Sequence, residues 1–599
     1  MKMNFEFFVL PFSIGVLILM STFLYTVITW IVKIEKGERQ KIGKGLFTWK
    51  TLSALKEVFM ESLLHRKIFR RNPLLGYMHM SLAFGWFLLI IVGDIEVKFF
   101  TGGGFNAPYY PVFFRYFEPA PHHYPGSSLF PHIMDFLLLV VLSGVALALF
   151  KRVKSSLYGL KKTTKLRLGD RVALYSLWMI FPLRLLAESI TSGLYDSGGF
   201  MTHTLGMAMV GFLPLQHIDN IVWWLYSLSL GLFFITLPIS RYMHIPTEVV
   251  LIFLKNYGLQ TRKYYSSVSE IEVYSCSRCG LCIDRCQLPD AQIVKPISVY
   301  FIRSVRNNSI DSKTLYNCML CGRCTEACPV GIDINALRIA KREEFNIKNK
   351  FTYNFEKQLA PSYSKVIYFA GCMGHLTPRV IKSMKAIFEA AGENYWFMDK
   401  DKGVCCGRPL MLAGQYNAAL QLMNHNRSII NHSNAQLLVT SCPICYKVFK
   451  EKYNLKIKVM HHSEYINYLI EQKRIDLKKL PLSAAYHDPC ELGRGAAIYD
   501  EPRAVLNKVL TLRTSSQERE KALCCGGSLG NFEIQNSQRT QIRDKALETL
   551  MESQPDMLVT ACPLCKRTFA KGNHVDVRDI AEVVKDALIV KPVFQSKNL

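Results

Sequence analysis

The sequence predicts a multidomain chain: an all-α five-helix transmembrane bundle, a small α-helical domain built on eight cysteines, and a duplicated α/β domain built on ten more. Three observations carry that prediction. Five apolar runs fall within the first 240 residues, one cysteine spacing occurs twice between Cys276 and Cys328, and the chain beyond residue 360 repeats itself. A length of 599 residues leaves room for about three or four domains. We divide it at 1–260, 261–350, 360–475 and 480–590.

The apolar runs lie at 7–32, 74–97, 131–150, 172–192 and 221–240. Each is near the ~20 residues that cross a hydrocarbon core. The first ends in Trp30-Ile31-Val32-Lys33 without a small-residue cleavage site, so it is expected to be an anchor and not a signal peptide. Arg184 and Glu188 interrupt the fourth run; four residues apart on one helix face, they are placed to pair inside the bundle.

The net charge of +26 raises nucleic acid as a partner, but its distribution argues against that. Residues 33–73 hold 11 Lys or Arg and 151–171 hold 8, whereas 99–130 hold only Arg115 and 193–220 none. Alternation of this kind sets membrane topology. It predicts a multi-pass protein of the cell membrane with its amino terminus outside and its carboxy-terminal 350 residues in the cytoplasm. All 18 cysteines lie between Cys276 and Cys565, each inside a short-spaced motif. They are expected to be reduced ligands and not disulfides.

Cys276-Ser-Arg-Cys279-Gly-Leu-Cys282-Ile-Asp-Arg-Cys286 and Cys318-Met-Leu-Cys321-Gly-Arg-Cys324-Thr-Glu-Ala-Cys328 share the C-x2-C-x2-C-x3-C spacing. In this arrangement three thiolates wrap one [4Fe–4S] cube and the fourth serves the other. The expected sets are Cys276, Cys279, Cys282 and Cys328 for the first cube, and Cys318, Cys321, Cys324 and Cys286 for the second. Zinc knuckles fit less well, because zinc takes two separated C-x2-C pairs. The first half departs in one place: Gln287 stands where a proline follows the last cysteine of the second half.

Two histidines leave two readings open: axial ligands of one haem, or a neutrally packed ring at His79 and a helix end among lipid headgroups at His244. His79 lies about one turn into the second run and His244 just after the fifth, both at the cytoplasmic end. The bundle resembles the cytochrome b subunit of respiratory nitrate reductase and its relatives in heterodisulfide-reductase-like complexes. The resemblance implies that His79 and His244 are the axial ligands of one b haem and that quinone is the substrate of this domain. Leu89 and Tyr226 occupy the positions of that family's second histidine pair, which implies one haem and not two. A second would have to use outer-side histidines such as His132, His203 or His217. His122 and His123 are expected to be surface residues of an outer loop.

Past Cys328, Pro329-Val-Gly-Ile-Asp333 leads into a helical pattern rich in Arg, Lys and Glu. This stretch resembles the α-helical ferredoxin of succinate dehydrogenase and heterodisulfide reductase. Beyond it, Cys372, Cys405-Cys406-Gly407 and Cys442-Pro-Ile-Cys445 return as Cys490, Cys524-Cys525-Gly526 and Cys562-Pro-Leu-Cys565, at intervals of 118, 119 and 120 residues. Ten cysteines in register mark a tandem duplication. Strand candidates 366–370, 436–440, 484–486 and 557–560 each end just before a cysteine, and helical stretches such as 378–391 and 537–552 follow. Ligands gather at the carboxyl ends of parallel strands.

These spacings are similar to the CCG domain of heterodisulfide reductase catalytic subunits. The likeness implies a non-cubane [4Fe–4S] cluster in each copy, held by five cysteines, at which disulfides can be split. His375, His487 and Asp488 stand beside the cysteines, either as proton donors or as hydrogen-bonded supports of the strand ends. In domain order the chain resembles fused membrane oxidoreductases that take electrons from electron-transfer flavoprotein and reduce menaquinone. The sequence leaves two other roles open: a quinol-linked thiol or heterodisulfide reductase, and a relay subunit for a soluble dehydrogenase. It also leaves open whether the chain forms a homodimer.

Overall fold

The computed structural model describes residues 7–101, 114, 126, 128–154, 166–261, 264–346, 364–401, 404–572 and 575–589. His122 and His123 lie outside the described residues. The chain forms two compact units. One comprises Met1–Gln260 with Ser266–Asp284, the other Thr261–Tyr265 with Arg285–Leu599.

In the first unit, five helices among the described residues are long and apolar enough to cross a membrane: Phe7–Lys33, Pro73–Phe99, Phe130–Val153, Leu168–Tyr195 and Leu215–Thr236. The first and fifth touch backbone to backbone, since a Cβ on Gly15 would sit 2.8 Å from the Gly231 Cα. Small residues permit such close approach where helices pack in a bundle. The fifth helix starts six residues earlier than the hydropathy suggests and stops at Thr236. The chain then turns, and His244 opens a separate helix, His244–Asn256. A short helix that hydropathy did not separate, Phe200–Val210, owes its start to Asp135. That carboxylate accepts from Met201 N at 2.7 Å and from Thr202 N at 2.9 Å, so it caps the orphan N–H groups of the first turn.

Arg184 and Glu188 do pair, Nε to Oε1 at 2.7 Å, with side chains 2% and 3% exposed. Breaking a buried pair strands one charge, at a cost of about 3–5 kcal/mol, whereas replacing both partners by apolar groups is often nearly neutral. Arg184→Gln should therefore lower the thermal unfolding midpoint of the detergent-solubilised protein. Arg184→Leu combined with Glu188→Leu should recover most of the loss.

The second unit begins with short helices around the cysteine loops. These include Ser298–Arg306, Ser312–Tyr316 and Arg323–Ala327, and they lead to Ile334–Asn346. The last is the charged helix expected after Cys328, yet Arg338 and Arg342 are fully buried. Their guanidinium groups donate to carbonyls: Arg338 Nη2 to Pro296 O at 2.6 Å, and Arg342 to Leu412 O at 2.6 Å and to Leu315 O at 2.8 Å. Arg338 also lies over the Phe301 ring, 4.0 Å from its centroid. Hydrogen bonds of this kind are what make a buried charge tolerable.

Eight strands follow among the described residues: β1 (Val366–Phe369), β2 (Tyr395–Phe397), β3 (Leu437–Thr440), β4 (Lys458–His461), β5 (Ser483–His487), β6 (Thr511–Arg513), β7 (Met557–Thr560) and β8 (Val577–Asp579). They form two four-stranded sheets of orders β2-β1-β3-β4 and β6-β5-β7-β8, and every pairing is parallel. Identical strand order in the two sheets is the duplication seen as topology. The four strands expected from the sequence are the central ones, buried on both faces and therefore uniformly apolar. The four edge strands were missed because they are short and carry residues such as Lys458, Arg513 and Arg578.

Candidate redox site

Cys276, Cys279 and Cys282 lie in the first unit, on the loop that follows helix Ser267–Tyr274 and on the short helix Leu281–Asp284. Two contacts fix this loop to the bundle. Arg278, between the first two cysteines, donates to Asp170 at 2.6 Å, and both side chains are buried. Leu281 packs on a cluster of Ile68, Leu75 and Met78 that also takes Leu147 and Ala148.

Met78 precedes His79. The His79 ring is half-buried within electrostatic reach of His244, His65, Lys151 and Arg241, and its buried Nε2 has no hydrogen-bond partner among the described residues. His244 directs Nδ1 at Arg241 O, 2.7 Å away. A carbonyl only accepts, so Nδ1 carries the proton and Nε2 keeps a lone pair. Lys151 is a neighbour of both His79 and Cys279. His65, which sequence reasoning missed, stacks on His79 with centroids 5.3 Å apart and planes at 8°. It sits in a polar loop in no recognisable motif, so only the fold brings it in.

The outer-side histidines are engaged differently. His132 Nδ1 meets Ser128 O at 2.9 Å, and His203 pairs with Asp196 at 2.9 Å. His217 is exposed. Leu89 and Tyr226 are fully buried. Tyr226 belongs to an aromatic cluster, with Phe114 and Trp223 centroids at 5.3 and 5.8 Å.

In the second unit, Cys286 has Cys321, Cys324 and Cys318 as its charged-state neighbours, and burial pushes its thiol well up. Burial, then Cys318 and Cys321, push Cys324 up to about 12. Thiolates so crowded and desolvated need a strongly positive partner, which is what an iron cluster core supplies. The structure therefore gathers the four residues expected for one cube. Cys328 follows helix Arg323–Ala327 as its C-cap.

Each duplicated domain collects its cysteines at the carboxyl ends of its two central strands, β1 and β3 in one and β5 and β7 in the other. In the first copy Cys372 neighbours Cys442 and Cys406, while Cys406 neighbours Cys405 and Cys445. Gly371 has φ +76, and a Cβ there would stand 2.8 Å from the Cys445 Sγ, so only glycine admits the thiol. In the second copy Cys524 neighbours Cys490, Cys525 and also Cys321, while Cys525 neighbours Cys565. Cys562 feels Cys442, so the two copies' sets are neighbours. Cys372 is exposed, whereas Cys490 is half-buried and Cys524, Cys525, Cys562 and Cys565 are buried. Among the described residues, no three His, Cys, Asp or Glu side chains close on one point as a mononuclear ion requires.

The polar residues beside the cysteines are structural in their contacts. His487 reaches Leu523 O at 3.1 Å and Thr560 Oγ1 at 3.3 Å. Asp488 takes both Arg503 Nη atoms, at 2.7 and 2.8 Å, and Arg519 N at 2.8 Å. His375 contacts Asp399 at 3.2 Å, and Asp399 also accepts from Ala370 N and Gly371 N. Two further residues escaped sequence reasoning. Arg494 donates to Cys321 O at 2.8 Å, and Gln287, visible only as the missing proline, bonds the backbone of Cys524.

Comparison with known proteins agrees with this arrangement. Residues 272–332 match the family described as a 4Fe-4S dicluster domain, and residues 366–450 and 484–570 match the CCG cysteine-rich domain. The chain is 27% identical over 248 residues to one component of the dihydromethanophenazine:CoB–CoM heterodisulfide reductase of Methanosarcina barkeri, covering 37% of this chain and 59% of that protein. It is 26% identical over 247 residues to the EtfAB:quinone oxidoreductase of Syntrophomonas wolfei, covering 37% and 34%. A probable membrane-anchored ferredoxin of Chromohalobacter salexigens is 28% identical over 230 residues, covering 35% and 34%. The chain thus spans about three fifths of the first of these relatives and a third of the other two. It is a membrane iron–sulfur protein that joins a 4Fe–4S dicluster domain to two CCG domains, similar to the iron–sulfur proteins of heterodisulfide reductase systems.

Proposed function

We propose that the chain is an oxidoreductase that passes electrons between electron-transfer flavoprotein in the cytoplasm and menaquinone in the membrane. The route runs through the CCG sites, two [4Fe–4S] cubes and one b haem. The observation that carries this reading is the chain of thiol neighbours in the second unit. Cys286 has Cys321, Cys324 and Cys318 as neighbours, Cys321 neighbours Cys524, and Cys562 of the second CCG set lies within electrostatic reach of Cys442 of the first. Redox groups placed in series this way serve transfer between distant partners. A relative named EtfAB:quinone oxidoreductase supports the choice of donor and acceptor.

His79 and His244 suit a haem by the chemistry of their nitrogens. One Nε2 is buried without a partner among the described residues, and the other ring is oriented by the Arg241 carbonyl behind it. A haem held there would supply one-electron exchange between the clusters and quinone. The aromatic packing around Tyr226 favours a single haem. In this reading Cys276, Cys279, Cys282 and Cys328 hold the first cube, and the ten CCG cysteines hold two non-cubane clusters. The alternating loop charges put the amino terminus outside and the cluster domains in the cytoplasm.

A second reading, quinol-linked disulfide reduction, is favoured by one observation: Cys372 of the first CCG set is exposed. Stopped-flow mixing of reduced electron-transfer flavoprotein with the purified chain separates the two. Bleaching of the cluster absorbance, followed by haem reduction, is the expected result. No reduction by the flavoprotein, together with turnover of a thiol disulfide, would establish the second reading instead.

A further inference from the structure

We infer that Gln287 is a positioning residue that locks the second CCG site against the cube held by Cys286, making the second copy the one that exchanges electrons with the ferredoxin domain. The inference rests on the cluster-ligand reading above and needs neither the flavoprotein nor the quinone.

The duplication supplies its own control. Gly407 packs against Ala419 and Met423, and Gly526 against Arg539 and Arg543. The helices that follow the two CCG motifs, Tyr416–Asn431 and Asn536–Met551, are therefore in register at an interval of 120 residues. Burial agrees, with Leu422 matching Ile542 and Ile430 matching Leu550. In the first copy the carbonyl of Cys405 accepts from Asn426 Nδ2 at 2.9 Å, an amide of its own domain. The corresponding residue of the second copy is Ala546, fully buried, which has no amide to give.

The missing amide comes from outside the copy. Gln287 Nε2 donates to Cys524 O at 3.2 Å, and its Oε1 accepts from Cys524 N at 2.7 Å. The side chain is attached one residue after Cys286, a ligand of the cube. Two parallel bonds thus join the ligand loop of one cluster to the ligand backbone of the next. A proline at 287, as at 329, would offer no amide. Arg494 repeats the connection from the other side, donating to Cys321 O and to Ala522 O, each at 2.8 Å. Between these clamps the Cys321 and Cys524 thiols are neighbours. The first copy meets the ferredoxin domain differently, through Leu412 O, Ala413 O and Tyr416 N on helix Ile334–Asn346, away from the cysteine loops. One electron crosses the Cys321–Cys524 contact, so the donor cluster is oxidised and the acceptor reduced by a single charge. No bond is made or broken and no proton moves.

The test uses the full chain in detergent, with dithionite as reductant. Freeze-quench electron paramagnetic resonance follows the second CCG signal and its magnetic interaction with the neighbouring cube, and iron content is measured alongside. Gln287→Leu should keep its iron, lose the magnetic interaction and fill the second CCG site roughly tenfold to a hundredfold more slowly, the usual cost of losing a hydrogen bond that orients a metal ligand. Adding Ala546→Asn returns a partner to Cys524 O from inside the copy without restoring the tie to Cys286, so transfer should stay slow. Wild-type coupling and rate in Gln287→Leu overturn the inference. Full recovery on adding Ala546→Asn also overturns it, because it reduces Gln287 to a local support. If Gln287→Leu loses iron, Gln287→Glu decides: it keeps an acceptor for Cys524 N–H but sets a carboxylate oxygen against the carbonyl. Slowed transfer there supports the inference and a wild-type signal refutes it. A wild-type chain without iron would sink the cluster reading itself.

Discussion

His79→Ala should strip the purified protein of b haem, so that pyridine haemochrome falls from near one haem per chain to background. A haem held by two histidines would need one imidazole lone pair from each. His79 offers a buried Nε2 with no other partner among the described residues, and a metal would compensate that burial, which costs about 1–3 kcal/mol for an unsatisfied polar group. His65, stacked on the same ring, is the neighbouring histidine best placed to substitute. Its Nδ1 is 3.2 Å from Leu63 O, and it lies on the loop before the helix. His65→Leu should therefore keep the haem. Haem retained in His79→Ala, or lost in His65→Leu but kept in His79→Ala, would move the ligand to His65. His244→Ala should match His79→Ala, since the proposed haem needs both.

What the sequence made legible followed from strong local patterns. The repeated cysteine spacing proposed Cys286, Cys318, Cys321 and Cys324 as one set before any coordinates, and in the structure these four are neighbours. The repeat at 118 to 120 residues likewise foretold two sheets of one topology. Uniformly apolar strands such as Met557–Thr560 were readable because burial on both faces leaves no choice of residue. What escaped was decided by contacts distant in sequence. The helical pattern rich in Arg, Lys and Glu gave no sign that Arg338 and Arg342 are buried, because carbonyls from three other segments reach them. The fifth span shifted because Pro214 and the polar residues after it tolerate a helix start that hydropathy averages away. Gln287 showed only as a broken motif; its partner lies 237 residues further along the chain.

Asp170 is where the second large effect is expected. It stands in the first turn of the fourth span, 3% exposed, and its carboxylate accepts from Arg241 N at 2.7 Å and from Arg278 Nη1 at 2.6 Å. Arg278 lies between Cys276 and Cys279. Arg241 in turn presents its carbonyl to His244 Nδ1. One carboxylate therefore holds both the cluster loop and the loop of the proposed haem ligand. The two functions separate by substitution. Asp170→Asn keeps an oxygen for Arg241 N but removes the negative charge of a buried ion pair with Arg278, and breaking a buried pair costs about 3–5 kcal/mol. It should lower the thermal midpoint and disturb the signal of the cube on Cys276, Cys279 and Cys282, while the haem spectrum holds. Asp170→Ala removes the acceptor as well, so the haem spectrum should change with the cluster. Asp170→Ala with both signals intact would show that neither loop depends on this carboxylate. Arg278→Leu combined with Asp170→Asn should recover most of the stability lost in Asp170→Asn, because replacing both partners of a buried pair costs far less than replacing one, and the Asn keeps the oxygen that Arg241 needs.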